Sequence, residues 1–112
     1  MDKPIPSEDT RCHVVLTTLP TREAAETIAH ALIEARLAAC VQLVDGLRSI
    51  YRWQGRVEES AEIQLIAKTT PAASTSLIER LRALHPYDVP EILTLDATAS
   101  AAYAAWLRDE TR

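Results

Sequence analysis

Hydrophobic and polar positions change period along the first third of the chain, from strand-like to helical. A β-branched, mostly apolar run at residues 12–18 ends before Pro20 and predicts a buried first strand. Apolar residues then recur at helical spacing through Arg36, and Thr21 stands where a helix N-cap is expected. This segment is therefore predicted to form an amphipathic helix that faces a sheet.

The middle of the chain is predicted to form one long β-hairpin. Strand patterns cover residues 38–44 and 47–53, with Asp45-Gly46 as a turn or bulge between them. Gln54-Gly55 then reverses the chain, and a return strand follows at residues 57–69. Because this return strand is long for a small domain, we expect the hairpin to extend beyond the helices that cover the sheet.

The last third of the chain contains signals for a helix, a strand and another helix. Thr70-Pro71 places a cap before a proline at the first helical position, and Pro86 ends the apolar stripe that follows. Residues 91–95 are predicted to form a short last strand, and residues 99–108 a terminal helix.

The resulting order is β-α-β-β-α-β plus a C-terminal helix, which is the split βαβ or ferredoxin-like arrangement of the α+β class. Right-handed crossovers would put both main helices on one face of a four-stranded antiparallel sheet and leave the other face bare. A bare face and an overlong hairpin would expose apolar area and strand edges, which pairing with another chain normally covers. We therefore predict a homo-oligomer.

A two-residue turn at Gln54-Gly55 also fixes which hairpin residues share a face. It pairs Trp53 with Arg56 and Tyr51 with Glu58. Alternation then places the two rings on the side of Glu62, Gln64 and Lys68. The opposite side, predicted to be the helix-covered core, holds Ile50, Val57, Ile63, Leu65 and Ala67. Two interpretations of the aromatic face stay open: rings held in a subunit contact, or rings lining a ligand cleft.

Composition limits the function classes. The chain has 112 residues, enough for one core, so we expect a disordered N-terminal tail at residues 1–11 and a single domain at residues 12–112. A net charge of -4 argues against nucleic acid or acidic lipid as partners, and no apolar run is long enough to span a membrane. Cys12 and Cys40 are too few for a disulfide framework, which favours a reduced, cytoplasmic setting.

The segment from His85 to Glu91 is the main candidate for chemistry. His85 follows a helix, where it is able to cap the C-terminus or to bind a transition metal through neutral imidazole. Glu91 is able to pair with Lys68 or with an arginine of another subunit. With only two glycines, no phosphate-binding loop or nucleophile elbow is present. Nothing demands catalysis, although an enzyme with His85 and Glu91 as acid and base is a rival hypothesis.

Several segments, in the right order, resemble the CutA divalent-cation tolerance family. They are residues 35–40, residues 49–55, Glu62 with Lys68-Thr69, residues 85–91, and Tyr103 with Trp106-Leu107. The resemblance implies three ferredoxin-like subunits joined through their long hairpins, as in the PII signalling proteins, and a cytoplasmic location. It also implies binding of copper and other divalent cations.

The copper ligands proposed for that family are a Cys on the first strand and two consecutive His before Pro-Tyr. This chain has Thr17 at the first position and Leu84-His85 at the pair, so only His85 matches. Without the thiolate and one imidazole, any copper(II) site must be weaker, or completed by acids or by a neighbouring subunit.

The sequence thus predicts a homotrimer without enzymatic activity whose intersubunit clefts accept a metal ion or a small anionic ligand. The residues predicted to line these clefts are Trp53, Lys68, His85, Tyr87 and Glu91. The alternative functions are a rigid trimeric scaffold that docks another, unidentified protein and a PII-like signalling protein without a physiological metal.

Overall fold

The computed structural model describes residues 10–112 and contains seven elements in the predicted order. They are β1 (Arg11–Leu19), α1 (Arg22–Glu34), β2 (Cys40–Trp53), β3 (Arg56–Thr69), α2 (Pro71–Leu84), β4 (Leu93–Thr98) and α3 (Ala101–Glu110). The strands form one antiparallel sheet in the order β2-β3-β1-β4. The predicted ferredoxin-like fold with a long β2-β3 hairpin and a C-terminal helix is confirmed.

The two ends of the sheet differ from the predicted boundaries. Residues 1–9 of the predicted tail lie outside the described residues, but Arg11, also assigned to the tail, already pairs with Thr98. Because β1 begins at Arg11, β4 continues alongside it as far as Thr98. The strand β4 starts at Leu93, whereas the prediction had residues 91–95. Residues 85–92, between α2 and β4, form a loop at the end of the sheet.

Each helix begins at a hydroxyl side chain that accepts a backbone N–H. Ala24 N donates to Thr21 Oγ1 at 3.1 Å, and Ala73 N donates to Thr70 Oγ1 at 3.2 Å. Each cap satisfies an N–H group that has no partner within its helix. Both helices pack on one face of the sheet around an aliphatic core, whose largest fully buried members are Val15, Leu19, Leu32, Leu65, Leu77 and Leu81.

The opposite face is only partly bare, which corrects the prediction. Helix α3 packs on it against β1 and β3, with Ala104 and Leu107 buried and Lys68 Nζ 6.0 Å from the centre of the Tyr103 ring. The sequence predicted the helix but not its side of the sheet, because its apolar residues are compatible with either face. Beyond α3 this face stays open, with Leu93 and Leu95 each 51% exposed.

The predicted irregularity at Asp45-Gly46 is confirmed as a β-bulge. Val44 pairs with Gln64 and Leu47 with Glu62, so two residues of β2 lie opposite one residue of β3. Gly46 has a φ of 81°, in the left-handed region. The extra residue reverses the alternation of β2, because every side chain after it points to the face opposite to the one it would occupy in an uninterrupted strand.

The register at the hairpin tip matches the prediction, with Tyr51 opposite Glu58 and Trp53 opposite Arg56. Gln54 and Gly55 both have positive φ, 50° and 80°, as a type I′ turn requires. Placing Ile50 and Val57 in the helix-covered core was wrong. They are 67% and 66% exposed, because the hairpin extends past the helices and stretches the molecule to 58 Å.

The bulge provides a first prediction. A Cβ at Gly46 would meet no atom within 4 Å, so Gly46→Ala would cost only the backbone strain of its positive φ, about 1–2 kcal/mol. Gly46→Asn should cost clearly less, because Asn tolerates this conformation. Urea unfolding of the three proteins at one protein concentration measures both values. An alanine variant as stable as the wild type would show that the bulge does not require glycine.

Candidate functional site

A cleft of about 760 Å³ lies between the outer half of the hairpin and the loop at residues 85–92. This volume is typical of small-molecule sites. The side chains and backbone that line it come from β1, β2, β3 and the loop: Thr18, Ser49, Ile50, Tyr51, Trp53, Ser60, Glu62, Pro86, Tyr87, Asp88, Val89 and Glu91. We call this site the cleft.

His85 lies behind the cleft and holds the loop against β1. It is 8% exposed, and its Nε2 lies 2.9 Å from the carbonyl oxygen of Thr18 and 3.0 Å from Thr17 Oγ1. Tyr87 N donates to His85 Nδ1 at 3.2 Å, which assigns the proton to Nε2 and makes the Thr18 carbonyl its acceptor. Burial lowers the pKa of His85, outweighing the Thr18 hydrogen bond and the charge of Glu62. The ring is therefore a neutral, structural histidine with both nitrogens engaged.

Glu62 is the buried acid of the cleft. It is 7% exposed and accepts a 2.8 Å hydrogen bond from Tyr87 Oη to its Oε2. Burial by itself would raise the pKa of Glu62, but hydrogen bonds from Ser49, Tyr87 and Thr18, with a smaller contribution from His85, bring it below the usual value. Burial and the neighbouring carboxylate in turn raise the pKa of Tyr87, so its hydroxyl stays a donor. Glu62 is thus held ionised.

The rings of the hairpin form one wall of the cleft. Tyr51 Oη and Ser60 Oγ lie 2.9 Å apart across the strand pair, which fixes the tyrosine on the same face as Glu62. Trp53, at the tip, is 47% exposed. On the other side, the Tyr87 ring is 5.0 Å from the His85 ring and tilted by 47°. The loop ring is therefore fixed on one side by imidazole and on the other by carboxylate.

The structure brings together three of the predicted cleft residues, Trp53, Tyr87 and Glu91. Lys68 is not among them in this chain, because it lies beneath α3 against Tyr103. A place for Lys68 in a cleft shared with a second copy stays a prediction. His85 supports the loop from behind, and no hydrogen bond joins it to Glu91 in the part of the chain that the structure describes. The rival acid and base pair is therefore not assembled.

Sequence reasoning placed Glu62 on the aromatic face but did not select it as a site residue. It also missed the hydroxyls of Thr18, Ser49 and Ser60 and the rim acid Asp88. The alternation that placed Glu62 beside Tyr51 was the available signal for it. The sequence held no signal for Thr18, because this residue lines the cleft only where the loop at residues 85–92 passes beside it.

The charges of the cleft have one sign. Its lining contains the carboxylates of Glu62, Asp88 and Glu91 and, within residues 10–112, no lysine or arginine. Such a surface attracts cations and repels anions. The side-chain acceptors of the cleft are oxygen atoms, and its walls include aromatic rings, which suits a cation that also has apolar surface.

The cleft does not fit a copper site built from one chain. Thr17 is fully buried, and its hydroxyl lies within hydrogen-bond distance of His85 Nε2. A metal bound to His85 would have to displace either the Tyr87 N–H from Nδ1 or the Thr18 carbonyl from Nε2. Across residues 10–112, no three His, Cys, Asp or Glu side chains converge on a point where they could hold a metal ion. The nitrogen and sulfur ligands that select copper are thus not assembled.

Comparison with known proteins identifies the family. A family model described as the CutA1 divalent ion tolerance protein matches residues 13–110, nearly the whole chain. The chain belongs to the CutA1 family. A divalent-cation tolerance protein CutA of Thermus thermophilus is 57% identical over 99 residues, covering 88% of this chain and 96% of the relative. The family predicted from the sequence motifs is confirmed.

Solved structures of the CutA1 family share the fold of this CutA1-family chain. The Thermus thermophilus structure is 55% identical with a TM-score of 0.85, covering 90% of this chain and 99% of that one. The Oryza sativa CutA1 structure is 39% identical with a TM-score of 0.88, covering 95% and 98%.

The comparisons leave the compartment open. A structure from Archaeoglobus fulgidus, 27% identical with a TM-score of 0.86 over 90% of this chain and 99% of that one, is described as a periplasmic divalent cation tolerance protein. Within residues 10–112, every helix is too short or too polar to cross a bilayer. The cytoplasmic location stays a prediction.

The lowered pKa of Glu62 predicts a specific pH dependence of stability. Because its pKa falls on folding, its ionisation stabilises the fold above the usual carboxyl pKa of 4.5, and this contribution is lost as the pH falls through the lower folded value. We expect Glu62→Gln to lose less stability than the wild type between about pH 6 and pH 3. Thermal unfolding followed by circular dichroism measures the slopes, with exposed Glu34→Gln on α1 as the matched control. Parallel curves for Glu62→Gln and the wild type would contradict the assigned charge state.

Proposed function

We propose that this CutA1-family chain is a non-enzymatic binding protein that acts as a homotrimer and takes up a cation in clefts at its subunit contacts. The observation that carries this proposal is the ionised, buried Glu62 in an oxygen-rich cleft without a basic residue in its described lining. The same observation favours a cation over the small anionic ligand that the sequence suggested. The role would be sensing or buffering of the ligand, in keeping with the tolerance function that names the family.

Exposed apolar surface and free strand edges support the assembly. The open sheet face includes Val44 at 46% exposure and Leu95 at 51%, and the hairpin tip exposes Ile50 and Val57. Both β2 and β4 are edge strands, and β2 is 14 residues long. Because the two edges differ, pairing one with the other is a head-to-tail contact, and such contacts form a ring when the rotation between neighbouring copies closes. The number three comes from the family resemblance.

For a divalent metal ion, the ligands proposed in this cleft are the oxygens of Glu62, Asp88 and Glu91. Hard cations prefer such oxygens and require several of them. Since the described residues of one chain do not bring three ligands together, a second copy would have to complete the site, and we expect the binding to be weak.

A trimeric docking scaffold is the second candidate. Val89, at the rim of the cleft, is 72% exposed and gives the cleft an apolar border that another protein could contact. In that case ligand binding would be absent and the charged interior would serve only the subunit contact.

The trimer is tested by sedimentation equilibrium. We expect the wild type to sediment at three times the chain mass of 12.4 kDa at micromolar concentration. Leu95→Glu should shift the population toward monomer, because it places a charge on the open sheet face. Ile33→Glu, on a residue of α1 that is 40% exposed, is the matched control and should stay trimeric. A monomeric wild type would refute the assembly, and a trimeric Leu95→Glu would exclude this face from it.

Copper binding is tested by calorimetry with the wild type and His85→Ala at neutral pH. We expect weak isotherms that agree within about twofold, because both His85 nitrogens already have partners. His85→Ala should instead lower the unfolding midpoint, since it removes the bonds that hold the loop to β1. A large loss of copper affinity in His85→Ala, with the trimer intact, would establish His85 as a ligand.

A further inference from the structure

Glu62 carries a buried charge without a cation from its own chain beside it. Its carboxylate accepts a hydrogen bond from Tyr87 Oη at 2.8 Å, and none of the ion pairs formed by side chains within residues 10–112 includes it. The nearby His85 is buried and neutral. A cation placed beside Glu62 would be attracted strongly, because water and salt screen the charge of a buried carboxylate less than that of an exposed one.

The hydrogen bonds also leave Glu62 room for a ligand. The two oxygens of a carboxylate offer about four acceptor positions, and the Tyr87 hydroxyl occupies one of them on Oε2. Acceptor positions are therefore left for an N–H donor, and Glu62 lines the cleft from which such a donor would come. The Tyr87 hydroxyl holds the carboxylate in place before the ligand arrives, which reduces the entropy cost of binding.

The rest of the lining favours an organic cation over a metal ion. A bare divalent ion would occupy a small part of about 760 Å³, and no three side chains of the metal-binding types converge within residues 10–112. The rings of Tyr51, Trp53 and Tyr87 supply π-faces and apolar contact instead. Aromatic rings around one carboxylate suit ammonium and guanidinium groups that carry a hydrocarbon part.

We propose that the cleft binds a small organic cation, a primary amine or guanidinium compound, with its charged group on Glu62 and its hydrocarbon part against the rings of Tyr51, Trp53 and Tyr87. This inference rests on the proposed function and names the ligand class of that site. Asp88 and Glu91 at the rim raise the local concentration of cations without contacting the charged group.

The experiment titrates the wild-type trimer with n-butylammonium chloride, using calorimetry at neutral pH and constant ionic strength. Potassium butyrate and n-butanol serve as the anionic and neutral probes of the same chain length. A second readout is the fluorescence of Trp53 in a Trp106→Phe background, since these are the only two tryptophans. We expect saturable binding of n-butylammonium with a change in Trp53 emission, and no saturation with the other two probes.

Two variants locate the binding. Glu62→Gln should weaken n-butylammonium about tenfold or more, the scale expected for losing a charge-assisted hydrogen bond, whereas exposed Glu34→Gln should leave the affinity unchanged. Trp53→Leu changes a side chain that is already 47% exposed, so it should fold normally and bind several-fold more weakly by calorimetry. This second variant decides the question if Glu62→Gln does not fold.

Several results would overturn the proposal: no saturable binding of n-butylammonium, equal affinity for n-butanol or butyrate, or unchanged affinity in both cleft variants. The first result, combined with dissociation of the trimer in Glu62→Gln, would mean that a basic side chain of a second copy already neutralises Glu62. Manganese(II) is titrated in parallel. A trimer that binds manganese(II) in the cleft but not n-butylammonium would retain the proposed function and lose the organic cation. A trimer that binds only butyrate, or a monomer that binds none of the probes, would remove both.

Discussion

A single extra residue in β2 decides which side chains of the hairpin face the cleft. Val41 and Leu43 precede the bulge at Asp45-Gly46 and pack against the core. Tyr51 and Trp53 have the same parity along the chain, yet they lie on the other face, beside Glu62. An uninterrupted strand would place both rings on the core side of the sheet, beyond the helices. The bulge therefore lets one strand serve the core with its first half and the cleft with its second.

Glu62 joins what the bulge brings together. Its carboxylate accepts a hydrogen bond from Tyr87 on the loop, and the hydroxyls of Ser49 on β2 and Thr18 on β1 help to lower its pKa, so three separate segments act on one buried acid. His85 completes the arrangement from behind, because it binds the Thr18 carbonyl with Nε2 and accepts the Tyr87 N–H at Nδ1. The imidazole thus links the loop to β1. A buried charge alone rarely adds stability. An ordered, ionised acid in such a network is therefore as well suited to binding a ligand as to stabilising the fold.

Much of the fold could be predicted from local chemistry. The caps Thr21 and Thr70, the positive-φ turn at Gln54-Gly55 and the bulge at Asp45-Gly46 each depend on residues adjacent in sequence, and the structure has all of them. The failures depend on distant contacts. The side of the sheet that α3 covers, and the exposure of Ile50, follow from packing that no local pattern encodes. The rings and Glu91 could be predicted as cleft residues from their residue types. The place of Thr18 in the cleft depends on the path of the loop, which no local pattern predicts.

The residues at the family's proposed copper-ligand positions show how this chain uses that region. Where the resemblance implies a cysteine, Thr17 places a hydroxyl 3.0 Å from His85 Nε2, and the preceding position of the histidine pair is Leu84, which is 39% exposed. The His85 imidazole therefore has a hydroxyl partner at the position where the resemblance implies a metal-binding thiolate. Leu84 takes the position of the second imidazole, so this chain lacks two of the three ligands that a soft metal would need. A neutral His85 in this position stabilises the loop, and the loop presents Tyr87 to Glu62. In this region the groups open to a ligand are thus the oxygens and rings of the cleft, whose lining carries three carboxylates, and not the nitrogens of His85.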